Sequence, residues 1–140
     1  MAIIPEHNRD LLQSSALAYL ATIGPTGEPQ VSAVWFTWDG SHLLFALNKG
    51  RQKYRNLVRD PRVAIAIADP DNPYRALEIR GTVARIEADS DYRFIDAASQ
   101  KYLKRDASPE ERGSAEERVV IYVEPERVIP FPPQADQKES

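Results

Sequence analysis

Six cations crowd one short stretch of this chain: Lys49, Arg51, Lys53, Arg55, Arg59 and Arg62, opposed only by Asp60. The stretch carries a local +5 on a chain whose overall formal charge is −3, so the remainder is acidic. A confined positive field on an acidic body suits a discrete anion site. A barrel that tracks single-stranded nucleic acid is the rival, but its groove needs cations spread over more of the chain, so no nucleic-acid partner is expected. Within the run, Arg51 and Lys53 fall where a strand ends and a short helix begins. Free backbone N–H groups and the helix dipole already favour an anion there, and two added cations make a phosphate clamp. The same run spaces Arg51, Arg55 and Arg59 four residues apart, as a solvated basic helix face does. Charge alone leaves both readings open.

A second candidate is the segment Glu28-Pro29-Gln30-Val31-Ser32-Ala33-Val34-Trp35. Gln30 and Ser32 share the parity of Val34 and Phe36, so they place hydrogen-bonding groups on an otherwise apolar face. Such groups can read the polar edge of a flat heterocycle, or can simply mark the rim of a strand. Trp35, Phe36, Trp38, Tyr54 and Tyr74 could stack on a ring or pack a core.

The usual catalytic motifs are missing: no G-x-S-x-G elbow, no phosphate-binding P-loop, no G-x-G-x-x-G and no H-E-x-x-H. With no cysteine, the chain has no disulfide framework, thiolate zinc site, iron–sulfur cluster or cysteine nucleophile, and two histidines argue against a metal centre. The chemistry therefore falls to a bound cofactor, which the protein positions and surrounds with charge.

The elements that must hold these residues follow from periodicity. A short helix is predicted over Pro5 to Ser14, then strands over Ala16 to Ile23 and Gln30 to Trp38, the latter apolar on both faces and so covered by a helix or a partner subunit. Asp39-Gly40 turns the chain into a strand over His42 to Leu47. A helix over Gln52 to Arg59, with Tyr54, Leu57 and Val58 at helical spacing, stops at Asp60-Pro61. Strands follow over Arg62 to Ala68 and Tyr74 to Glu87, the second bent at Gly81. Asp89 to Lys104 reads as a helix whose acids begin it and whose lysines end it, with Tyr92, Ile95, Ala98 and Tyr102 as its apolar stripe. A polar loop over Ser108 to Glu117 leads to a last strand, Val119 to Val123. Six strands and short flanking helices describe an α+β protein on an antiparallel Greek-key barrel. At 140 residues this is one domain, residues 1–131, with a polar tail over 132–140 expected to be disordered. The first residues lack a secretory pattern and no run is long enough to span a bilayer, so a cytoplasmic protein without a membrane partner is expected.

Taken in order, the strand Pro29 to Ser32, the run Arg51-Gln52-Lys53-Tyr54-Arg55-Asn56-Leu57-Val58-Arg59-Asp60-Pro61-Arg62-Val63 and the later Leu77-Glu78-Ile79-Arg80-Gly81-Thr82-Val83 resemble the pyridoxamine 5′-phosphate oxidase-like superfamily. Within it they look most like its branch of small reductases using the deazaflavin coenzyme F420. The resemblance covers nearly the whole chain and implies a six-stranded FMN-binding split barrel. It implies an oxidoreductase that moves a hydride from reduced F420 to an unsaturated small-molecule substrate. FMN in the same fold, or non-catalytic binding of flavin or haem, are the alternatives. Carried over by position, it implies that Arg51 and Lys53 bind the coenzyme phosphate with Arg55 and Asn56 nearby, and that Gln30, Ser32 and Val34 line the ring or its side chain. Asn48 stands where relatives often place a Ser or Thr hydroxyl. The resemblance further implies a homodimer with the cofactor at its interface, to which Tyr74 and its loop contribute. Lys49, Arg55, Arg59 and Arg62 exceed what one phosphate requires, and such a surplus would suit the glutamate tail of the deazaflavin.

Overall fold

In the computed structural model, which describes residues 4–133, the chain forms seven strands: β1 (Ala18–Ile23), β2 (Pro29–Val34), β3 (Thr37–Trp38), β4 (Leu43–Asn48), β5 (Arg62–Asp69), β6 (Asn72–Ala88) and β7 (Arg118–Phe131). They make one antiparallel sheet in the order β2-β1-β5-β6-β7-β4-β3, curled into a split barrel. Four α-helices flank it: α1 (Arg9–Gln13), α2 (Gln52–Arg59), α3 (Arg93–Leu103) and α4 (Pro109–Arg112).

Alternation decides which way each strand faces. Ala18, Leu20 and Thr22 of β1 and Val63, Ile65 and Ile67 of β5 are buried, while Tyr19 and Ala66 between them are exposed. In β4 the pattern is lost, because both faces are covered. Leu43, Phe45 and Leu47 enter the main core with Leu11 and Leu12 of α1; Leu44 joins Val120 and Tyr122 beneath Phe94 of α3 in a smaller second core.

The barrel has one strand more than the six expected, because the strand expected over Gln30 to Trp38 breaks at Trp35 and Phe36. Phe36 is fully buried, and side chains of α3 take its backbone groups: its N–H donates to the Tyr102 hydroxyl (3.3 Å) and its carbonyl accepts from Lys101 Nζ (2.9 Å). Satisfied this way, the backbone need not stay in the sheet. Gly81 bends the sheet as expected. The β6–β7 register shifts between Arg80 and Gly81, and a Cβ at 81 would stand 2.3 Å from the Glu124 carbonyl oxygen.

Other boundaries moved for local reasons. α2 spans Gln52–Arg59 as predicted, but Val58 is exposed and Asn56 is buried in its place. α3 begins at Arg93 rather than Asp89: the buried Asp89 carboxylate accepts from the Phe94 and Ile95 amides (2.9 and 3.0 Å), capping the helix from outside. The expected loop after Ser108 contains α4, closed by a capping box in which Ser108 accepts from the Glu111 amide and Glu111 from the Ser108 amide. β7 runs to Phe131, eight residues past the expected Val123, because β6 is long enough to pair with it as far as Phe131. The first strand starts at Ala18, and the opening helix divides into a 3-10 turn, Glu6–Asn8, and α1. Most of the tail expected to be disordered, residues 134–140, lies outside the described residues. Among those described, no helix is long and apolar enough to cross a membrane.

Candidate functional site: a cation cleft between β2, α2 and α3

The site grows out of the turn between β4 and α2. Asn48 Oδ1 accepts from the Gly50 amide (2.7 Å), Arg51 N–H donates to the Asn48 carbonyl (3.1 Å), and the Arg55 guanidinium folds back onto the Gly50 carbonyl (2.9 Å) and Gln52 Oε1 (2.8 Å). These bonds set Arg51 at the N-cap of α2 with no side-chain cap, leaving the helix N-terminus open to an anion.

Beneath α2, Asn56 is completely buried. Its amide donates to Thr22 Oγ1 (3.0 Å) and Gln30 Oε1 (2.7 Å), and its carbonyl oxygen accepts from Gln52 Nε2 (2.8 Å). A buried amide must be satisfied in this way, and the network locks α2 onto β1 and β2.

Two adjoining cavities result. The larger, about 400 Å³, lies between Val34, Trp35, Ala46, Ile95 and Ala98, with Arg51 and Lys53 on one side. The smaller, about 210 Å³, is lined by Thr22, Gln30, Ser32, Gln52 and again Arg51 and Lys53. The two cations thus stand where both cavities meet. Neither has an acidic partner among the described residues. Lys53 is half-buried, and its amine is held below the ordinary lysine range, first by that burial and second by repulsion from Arg51. Two like charges on a half-dry wall with no counterion are what an anionic ligand would relieve.

Of the residues singled out from sequence, Gln30, Ser32, Val34, Arg51 and Lys53 come together in the cleft. Asn48, Arg55 and Asn56 are beside it but line neither cavity; they shape the turn and anchor the helix. Tyr74 is 76% exposed at the β5–β6 hairpin and lines neither cavity. Of the surplus cations, Arg62 is tied to Asp60 (2.7 Å), whose carboxyl it holds down to about 2, and Arg59 bonds the Ile23 carbonyl. Sequence reasoning missed Ile95 and Ala98, assigned only to a core stripe, and Thr22 and Gln52. Thr22 had a signal: it is polar at the inward register of Ala18 and Leu20.

A family-wide sequence profile described as "Pyridoxamine 5′-phosphate oxidase" matches residues 4–130. Among solved structures, one titled F420 Reductase is 41% identical, covering 89% of this chain and 98% of its own, with a TM-score of 0.82. A conserved hypothetical protein of Mycobacterium tuberculosis is 25% identical over 92% of this chain and 85% of its own, with a TM-score of 0.74. The General Stress Protein 26 of Bacillus anthracis shares the fold at 20% identity, over 92% and 94% of the two chains, with a TM-score of 0.69. By its profile match over nearly all of the described chain, this protein belongs to the pyridoxamine 5′-phosphate oxidase family of split-barrel oxidoreductases.

Proposed function

We propose that this chain is a reductase that binds the deazaflavin coenzyme F420 in the cation cleft and uses it to reduce an unsaturated organic small molecule. The observation that carries the reading is the pair Arg51 and Lys53, set where the two cavities meet with no counterion among the described residues. Similarity to a protein titled F420 Reductase supports the choice of coenzyme.

Arg51, Lys53 and the open end of α2 neutralise and orient the coenzyme phosphate. Gln30, held in place by Asn56, and Ser32 offer polar groups to the chain or ring edge. Val34, Trp35, Ile95 and Ala98 wall the larger cavity and limit water there. When bound, the coenzyme would supply a hydride to one end of the unsaturated bond, balanced by a proton taken from solvent at the other. Surplus charge contributes less to this choice than the sequence suggested, since Asp60 already neutralises Arg62. FMN, with one terminal phosphate, is the competing occupant.

We further infer a homodimer. Leu17, Tyr19 and Val31 are 38%, 48% and 68% exposed, apolar area that a second copy would cover. Tyr74 of that copy would then complete the cleft. A monomeric mass by light scattering at micromolar concentration would contradict this.

The test of function is a paired fluorescence titration of the apoprotein with F420 and FMN at low and high salt. Tighter binding of F420 is expected, weakening with salt as exposed charges are screened. Tighter binding of FMN would overturn the deazaflavin assignment and leave the clamp.

A further inference from the structure

Trp35 forms part of the larger cavity's wall, yet the chain around it belongs to no strand. What holds it is the last turn of α3. Lys101 Nζ donates to the Phe36 carbonyl (2.9 Å) and the Leu12 carbonyl (3.2 Å), and stands 3.6 Å from the centre of the Phe36 ring. Tyr102 donates its hydroxyl to the Ala16 carbonyl (2.7 Å), receives the Phe36 amide, and stacks on Trp35 with ring centres 5.2 Å apart and planes 6° from parallel. Two neighbouring side chains therefore gather α1, the start of β1 and the β2–β3 break into one corner.

The ammonium has no carboxylate within ion-pair distance among the described residues. Facing it, α1 and the β2–β3 break present the Leu12 and Phe36 carbonyls and the Phe36 ring. Tyr102 on α3 and Lys104 at its C-cap are its titratable neighbours, and Lys104 Nζ donates to the Lys101 carbonyl (3.4 Å). The charged residues of α1 are Arg9 and Asp10, and Asp10 is engaged by Arg75. A charge that serves no ion pair, held over a ring and two carbonyls, is well placed to fix geometry.

We propose that Lys101 is a positioning residue of the cation cleft, holding the Trp35 corner at the spacing its ligand requires. The proposal rests on reading that cleft as the coenzyme site. Burial brings the amine down to about 8, while Tyr102 is pushed up to about 12 by its own burial, so between the two only the lysine tie loosens.

The test begins on the apoprotein and so does not depend on the coenzyme. The Trp35 indole resonance, assigned with Trp35→Phe, is followed by NMR from neutral to alkaline pH in the wild type and in Lys101→Met. A shift with a midpoint near the lysine value, absent from Lys101→Met, is expected. A wild-type resonance that does not titrate, or one that titrates identically in the variant, would overturn the proposal. F420 binding by Lys101→Met should weaken at least about fivefold, as loss of one such contact implies; unchanged affinity would also overturn it. A wild type that shows the indole titration but binds neither F420 nor FMN would defeat the functional reading and leave the Lys101 tie standing. Should Lys101→Met not fold, Lys101→Arg keeps a cation at the corner but takes its titration above the range scanned. The indole titration should then be lost, and one that persists with the wild-type midpoint would overturn the proposal.

Discussion

Replacing both Arg51 and Lys53 by alanine removes the two charges that meet at the junction of the cavities. A charge-assisted hydrogen bond contributes about 1.5 to 3 kcal/mol net, so two bonds to one phosphate contribute about 3 to 6 kcal/mol. Arg51 is exposed and partly screened by solvent, which puts the pair at the low end, about 3 kcal/mol, or a loss of affinity greater than about a hundredfold. The unliganded fold should not suffer. Among the described residues neither side chain pairs with an acid, and the substitution removes both the repulsion between them and the burial cost at Lys53. Fluorescence titration with F420, beside thermal unfolding of the apoprotein, reads both effects. An unchanged dissociation constant in a folded double variant would refute the clamp.

Three further outcomes follow from the same geometry. Asn56→Ala would strand Thr22 Oγ1, Gln30 Oε1 and Gln52 Nε2, costing about 1 to 3 kcal/mol in denaturant unfolding and weakening coenzyme binding as Gln30 loses its support. Gly81→Ala would drive a methyl group against the Glu124 carbonyl, costing about 1 to 3 kcal/mol by the same measurement. Lys101 binds its proton less tightly in the folded chain, about 8 against 10.5 unfolded. The unfolded chain therefore holds more protons between those values, and stability from this group rises with pH across them; wild type should gain on Lys101→Met in unfolding midpoints measured over that window.

The legible parts of this molecule were those written in local periodicity and charge. The strand-to-helix step at Arg51, the stop at Asp60-Pro61 and the bend at Gly81 each depend on residues adjacent in sequence, and each stands where expected. The break at Phe36 was not legible, because its cause is sixty-five residues away in Lys101. The residues around it, apolar on both faces, read as one long buried strand. Asn56 illustrates a related limit. The resemblance places it near the coenzyme phosphate; its hydrogen bonds to β1 and β2 add a supporting role that nothing in α2 alone announces. The walls at Ile95 and Ala98 look like core in sequence because an apolar cleft and an apolar core use the same side chains.

Whether the cleft marked by Arg51 and Lys53 holds a phosphorylated deazaflavin is decided by co-crystallisation with F420. The coenzyme phosphate is expected within hydrogen-bonding distance of both the Arg51 guanidinium and the Lys53 amine, with the ring in the cavity walled by Val34 and Trp35. A depression of about 390 Å³ elsewhere on the sheet, beside Ala21, Val63, Ala64 and Arg80, is the competing location. A phosphate bound there, with Arg51 and Lys53 left without an anion, would rule out the cation cleft as the coenzyme site.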